Sequence, residues 1–155
     1  MDAYERYGRA LVRKATRMLG NAQDARDVVQ SLFVDLLHKG EPEPDLPYLY
    51  RAVTNRCLSQ MRDESNRARL LERHDDALAP ARRTACDDRT VGRDLLVKLV
   101  AELDDAHREI LVYRFLDDMT QEEIATLLGL SRKTIGHRLD RIREAVARVA
   151  GAGEG

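Results

Sequence analysis

The sequence predicts an all-α fold on three observations. Helical periodicity dominates the chain, no strictly alternating apolar and polar run is long enough for a strand, and glycine and proline are too sparse for a fibrous or disordered polymer. The 155 residues, 43% hydrophobic and 34% charged, lie at the boundary between one domain and two small ones. The expected architecture is two small helical lobes joined by a flexible linker, the C-terminal lobe being a four-helix helix-turn-helix domain. The expected boundaries are residues 1–73 for the first lobe, 74–91 for the linker, 92–150 for the second lobe and 151–155 for a disordered tail.

In the first helix Tyr4, Tyr7, Leu11, Ala15, Met18 and Leu19 form one apolar stripe, and Gly20 suits its termination. Asn21 opens the second, with Asp24 placed for a weak capping box. Ala25, Val28, Val29, Leu32, Phe33, Leu36 and Leu37 then keep to one face. The run from Gly40 to Pro47 holds three prolines and is a loop, and Pro47 fits the first turn of a third helix. There Leu49, Val53, Cys57 and Met61 point one way, while Arg51, Asn55, Ser59 and Arg62 share the polar face. Between about His74 and Val91 the pattern dissolves, which places the linker.

Four shorter helices follow. The first carries Leu95, Leu96, Leu99, Val100 and Leu103, and the second runs from an Asp105 cap through Ile110, Leu111 and Phe115. The third opens on the capping box Thr120-Gln121-Glu122-Glu123 and continues through Ile124, Ala125, Leu127 and Leu128. The fourth begins at Ser131 and buries Ile135, Leu139, Ile142 and Val146.

Residues 121–139 hold the parts of a helix-turn-helix in order. Ala125 is small where two helices approach, Gly129 permits the turn, Leu130 plugs the core, Ser131 caps the next helix and Ile135 packs back. Arg132 and Lys133 occupy that helix's first turn, where the macrodipole disfavours cations by about 0.3 to 1 kcal/mol each. A breach of this kind is expected where phosphates or base edges offset it. Thr134, His137, Arg138 and Arg141 share the exposed side with Lys133 and are available to a major groove, Arg suiting guanine. Gly136 marks the close approach of either DNA backbone or another helix. The net charge of -1 hides this asymmetry: between Ser131 and Ala150, Arg132, Lys133, Arg138, Arg141, Arg143 and Arg148 face only Asp140 and Glu144.

Other classes of function find no support. No apolar run approaches the roughly 20 residues of a membrane span, and Met1 to Arg9 is too polar for a signal peptide, so no membrane insertion and a cytoplasmic location are expected. Cys57 and Cys86 lack Cys or His neighbours at ligand spacing and read as reduced thiols, with no metal site, disulfide or cofactor. No nucleophile with an adjacent base and no phosphate loop appears, so no catalytic residues are assigned, and His38, His74, His107 and His137 read as surface or packing residues.

At these residues the chain resembles the extracytoplasmic-function sigma factors of the sigma-70 superfamily, over nearly its whole length. The segment 24–33 is similar to the helix with which that family grips the polymerase clamp, which implies polymerase-binding roles for Asp24, Asp27 and Gln30. The segment 48–56 is similar to the helix that recognises the minus ten promoter element, Asn55 matching its asparagine and Arg62 a basic position. The helix-turn-helix resembles the domain that reads the minus thirty-five element. The departures are Tyr48 for a usual tryptophan, Ser59 for a usual aspartate, and the acids Asp63 and Glu64 where the family tends to be basic. The resemblance implies core RNA polymerase, promoter DNA and an anti-sigma factor as partners. The competing reading is a free-standing helix-turn-helix regulator whose N-terminal lobe dimerises or senses a signal. Against it stand the clamp-like helix, the Asn55 helix and a linker that stretches to about 60 Å, longer than one DNA turn of about 34 Å.

Overall fold

The computed structural model describes residues 2–40, 44–74 and 88–154. Among these, the structure consists of helices joined by short turns and loops, with no strand. Helices α1 (Asp2–Leu19), α2 (Ala22–Lys39) and α3 (Leu46–His74) make the N-terminal lobe. Helices α4 (Asp88–Glu102), α5 (Asp105–Leu111), α6 (Gln121–Leu128) and α7 (Arg132–Glu154) make the C-terminal lobe, with a π-helical turn, Val112–Leu116, running on from α5.

The helix ends follow from their local chemistry. Asn21 Oδ1 accepts from the backbone N–H groups of Gln23 (2.8 Å) and Asp24 (3.1 Å), satisfying two donors that the first turn of α2 leaves over. The cap is one-sided: Asp24 returns no hydrogen bond within the described residues, because a side chain one methylene shorter than Glu does not reach back. Asp45 caps α3 by accepting from Tyr48 N–H at 3.1 Å, which leaves Pro47 in the first turn, where its missing N–H costs nothing. Gly20 and Gly40 end α1 and α2 at φ 72° and 66°, a left-handed conformation cheap only for glycine.

Apolar stripes build the core. Leu11, Ala15, Met18 and Leu19 of α1, Ala25, Val28, Val29, Leu32 and Phe33 of α2, and Leu49, Val53, Cys57, Leu58 and Met61 of α3 are buried. Tyr4 is 40% exposed but sets its ring edge-on to Phe33 with centroids 5.1 Å apart. Leu37 departs from the expected stripe and is 58% exposed. In the C-terminal lobe Leu96, Leu99, Val100, Ile110, Leu111, Ile124, Ile135, Leu139 and Ile142 are buried.

Four expectations need correction. The cap of α5 is Asp104, whose Oδ1 accepts from His107 N–H at 3.0 Å, one residue before the predicted Asp105. Phe115 is 47% exposed while Val112 and Tyr113 are fully buried, because the wide turn, closed by Asp117 N–H to the Val112 carbonyl at 3.1 Å, shifts the helical register. Helix α4 starts at Asp88, inside the stretch assigned to the linker. Most of that linker, residues 75–87, lies outside the described residues. Helix α7 runs to Glu154, so residues 151–154 of the expected disordered tail are helical although two of these four residues are glycines.

The lobes pack on each other, and their buried residues form one continuous cluster. Between them Lys14 of α1 and Asp117 make an ion pair of 2.7 Å with both side chains almost fully buried, at 1% and 2% exposure.

The cap of α6 is closed from both sides: Thr120 Oγ1 accepts from Glu123 N–H (3.1 Å) and Glu123 Oε1 accepts from Thr120 N–H (2.9 Å). Accepting that N–H holds the Glu123 carboxyl below its ordinary 4.5. Its contribution is therefore present above that range and is lost as pH falls through the lower folded-state value. Thr120→Ala should cost about 1 kcal/mol of stability, and Glu123→Gln, which removes the titrating carboxyl, should flatten the acid limb of the stability curve. Urea unfolding of both proteins between neutral and acid pH measures both effects; an unchanged midpoint would remove the cap from the account.

Candidate nucleic-acid interface

The helix-turn-helix is built as its residues dictate. Gly129 adopts φ 68°, and Leu130 N–H donates to the Ala125 carbonyl at 3.0 Å, closing α6 with a left-handed turn. Ser131 caps α7, its hydroxyl accepting from Thr134 N–H at 3.0 Å and donating to Thr134 Oγ1 at 2.9 Å. Ile135, Leu139 and Ile142 are wholly buried, and this fixes the opposite face of α7 outward. Arg132, Lys133, His137 and Arg141 are exposed there, with Thr134 and Arg138 half-buried beside them. Within the described residues no carboxylate lies at ion-pair distance from Arg132, Lys133, Arg138 or Arg141. Their neighbours Arg143 and Arg148 do have partners, Asp140 at 3.3 Å and Glu102 at 3.2 Å. The start of α7 is thus a cluster of uncompensated cations at the end of a helix that disfavours them.

Gly136 is explained by a helix neighbour. A Cβ there would stand 2.9 Å from Gln121 Nε2, which crosses from α6 to donate to the Arg132 carbonyl at 2.7 Å. The close approach is made by this amide, so the glycine tightens the angle between the two helices.

In the N-terminal lobe Asp27 and Gln30 are exposed on the outer face of α2 and Asp24 is half-buried. Asp27 accepts from Gln23 Nε2 at 3.0 Å. Asn55 is exposed on α3, at the lip of a groove shared with Asp27, Ser31 and Arg56 of α2 and α3, and of a second cleft toward Asp105 and Glu109. Arg51 and Arg62 differ from Asn55 in being engaged. Arg51 grips Glu109 with two nitrogens at 2.8 and 3.3 Å, and Arg62 reaches Asp105 at 3.4 Å. Arg56, which periodicity did not single out, bonds Ser31 (3.0 Å) and Asp35 (2.6 Å) and ties α3 to α2. His107 sits on Asp104 at 2.6 Å, a packing histidine as expected.

Sequence reasoning missed the polar groups between the lobes. Lys14 Nζ lies 4.3 Å from the Tyr50 ring centre and 5.4 Å from that of Tyr113, and those two rings stack with centroids 5.8 Å apart. Burial pulls the Lys14 ammonium below the usual lysine value, with Asp117 opposing the shift. Glu109 also accepts from the buried Tyr113 hydroxyl at 2.6 Å, and burial raises the tyrosine's value. One signal was available: Lys14 lies between Leu11 and Met18 on the apolar stripe, a position where a cation needs a buried partner.

Comparison with known proteins places both lobes. Residues 3–67 match Sigma-70 region 2 and residues 93–146 match Sigma-70, region 4. The RNA polymerase sigma-E factor of Streptomyces avermitilis is 31% identical over 142 residues, spanning 87% of this chain and 78% of that protein. The chain belongs to the sigma-70 family of RNA polymerase sigma factors. The sigma-E factor of Streptomyces coelicolor matches equally, at 31% over 142 residues, 87% of this chain and 78% of that protein. The solved structure of CnrH, in complex with the cytosolic domain of CnrY, has a TM-score of 0.54 at 27% identity over 97% of this chain and 86% of that chain. The protein is a sigma factor of the extracytoplasmic-function type, directing core polymerase to promoters for initiation, and the free-standing regulator is not favoured. Region 2 falls on α1 to α3 and region 4 on α4 to α7. No helix within the described residues is long and apolar enough to cross a membrane.

The Gln121 contact has a measurable consequence for this sigma factor. Ala at position 136 gains about 1 kcal/mol of helix propensity over Gly but displaces the Gln121 amide. Gly136→Ala alone should therefore change stability little, whereas in a Gln121→Ala background it should stabilise by about 1 kcal/mol. Denaturant unfolding of the four proteins completes the cycle, and equal effects in both backgrounds would refute the coupling.

Proposed function

We propose that this sigma factor touches the transcription machinery through three surfaces, carried above all by the uncompensated cations at the start of α7. The α7 face of Arg132, Lys133, Thr134, His137, Arg138 and Arg141 reads the minus thirty-five element. Arg51, Asn55 and Arg62 of α3 meet the minus ten element, and Asp24, Asp27 and Gln30 of α2 bind core polymerase. The two lobes are the units of bipartite recognition, with the stretch between α3 and α4 as their tether. The protein works in the cytoplasm and catalyses no reaction of its own. CnrH was solved with a protein partner, and a corresponding anti-sigma factor is proposed to hold this chain in check.

Asp27 and Gln30 are exposed and lie opposite the buried stripe of α2. Replacing both by Ala should weaken binding to core polymerase while shifting stability by no more than about 0.5 kcal/mol. Normal polymerase binding by the double variant would reassign that face.

Within α7, Arg132 is exposed while Arg138 is half-buried. A packed stem holds the Arg138 guanidinium in fewer conformations, which suits a two-pronged contact with guanine, whereas Arg132 suits phosphate. Arg132→Ala should then weaken holoenzyme binding alike on all dependent promoters and reduce its salt dependence by about one phosphate contact. Arg138→Ala should cost about 1 to 3 kcal/mol at the matched promoter and relax preference at one base pair. Holoenzyme binding to single-base variants of the minus thirty-five element, at two salt concentrations, separates the roles. Equal losses on every variant for Arg138→Ala would make it a phosphate contact and pass base reading to Lys133, His137 or Arg141.

A further inference from the structure

Beyond Glu5 every charged residue of α1 is basic: Arg6, Arg9, Arg13, Lys14 and Arg17. Lys14 is buried against Asp117, while Arg6, Arg9, Arg13 and Arg17 are all exposed. Their spacings of three, four and four residues set the four arginines on one side of the helix. At a rise of about 1.5 Å per residue the row is about 16 Å long. Ala10, also exposed, sits among them, and its short side chain lets a ligand come close to the helix between the arginines.

Like charges three or four residues apart destabilise a helix, and α1 repeats that conflict over three turns. The ends of the row are engaged: Arg6 sets its guanidinium 6.0 Å from the Tyr7 ring centre, and Arg17 pairs with Asp117 at 2.9 Å. The middle is not, since within the described residues the side chains of Arg9 and Arg13 make no ion pair or hydrogen bond. Three features choose the ligand that would relieve them. All four cations are arginines, whose planar forks suit phosphate oxygens. The length of the row matches about five base pairs at about 3.4 Å each. At its C-terminal end Arg17 adjoins the Tyr50 side chain, which joins the outer face of α1 to the part of α3 that carries Arg51 and Asn55.

We propose that the outer face of α1 is a phosphate track, on which Arg9 and Arg13, flanked by Arg6 and Arg17, hold the sugar-phosphate backbone of promoter DNA beside the minus ten element. The inference rests on the reading of Arg51 and Asn55 as minus ten contacts, and it extends that surface around the N-terminal lobe onto α1. Backbone contacts of this kind position DNA without reading its sequence. The track therefore supplies affinity and register common to all promoters that this sigma factor serves.

The test rebuilds holoenzyme with Arg9→Ala combined with Arg13→Ala and measures its binding to promoters that differ in the minus ten element, at about 50 and about 200 mM salt. The variant should bind every promoter more weakly by a similar factor. With two phosphate contacts gone, the advantage of the wild type should shrink about tenfold between the two salt concentrations. The melting temperature of the variant should not fall, because Ala keeps the helix and removes the like-charge conflict, and its binding to core polymerase should be unchanged. In the promoter complex, a photoreactive side chain introduced as Arg13→p-benzoylphenylalanine should crosslink to DNA beside the minus ten element. Unchanged DNA binding and salt response in the double variant would overturn the track, and a loss confined to particular minus ten sequences would replace backbone contact by base reading. Crosslinks to polymerase subunits alone would assign the row to an acidic protein surface instead. The underlying reading is judged separately by Asn55→Ala: a variant that binds every minus ten sequence as the wild type does sinks that reading, while the salt response of the double variant still decides whether α1 holds phosphate.

Discussion

The contact on which the arrangement of this molecule turns is the buried pairing of Asp117 with Lys14 and Arg17. Two nearly fully buried opposite charges at 2.7 Å need each other, since taking either out of water alone is far more costly than burying the pair. Such a pair adds little net stability, but it constrains geometry, because either charge left buried without the other is strongly destabilising. The π turn and the left-handed Asp118 at φ 53° deliver that carboxylate. A residue tolerant of this conformation ends the helical segment and turns the chain toward α6.

The two faces proposed to recognise DNA differ in how they are prepared. On α7 the cations are set on a helix whose inner side is locked by Ile135, Leu139 and Ile142, and they stand ready without internal partners. On α3 the corresponding arginines are bonded to carboxylates of the other lobe, so their availability depends on where that lobe lies. A near-neutral net charge is consistent with a subunit that leans on core polymerase for affinity, since the long-range pull of a basic protein on DNA is missing.

Stability and function meet at α6 and α7. The capping box, the Gly129 turn and the Gln121 bridge to the Arg132 carbonyl each fix the angle between these helices, and the angle sets how the start of α7 is presented. Basic residues in the first turn of a helix oppose its dipole. The surrounding caps and core offset that local cost.

The sequence by itself determined the all-α class, every helix of the bundle, the caps at Asn21 and Thr120, the turn at Gly129 and the outward set of cations on α7. All of these are local: period 3.6, caps within three residues and the steric freedom of glycine leave their marks within a few positions of the residues they govern. Only the tertiary structure decided that Lys14 is a buried ion-pair partner, that Arg51 and Arg62 face Glu109 and Asp105, that Tyr113 and not Phe115 enters the core, and that Gly136 makes room for Gln121. The Lys14–Asp117 pair joins residues 103 positions apart, and Phe115 lost its place to a one-residue change in helical register. Contacts at such separation depend on how two independently patterned surfaces are brought together, and no periodicity within either of them encodes the partner on the other.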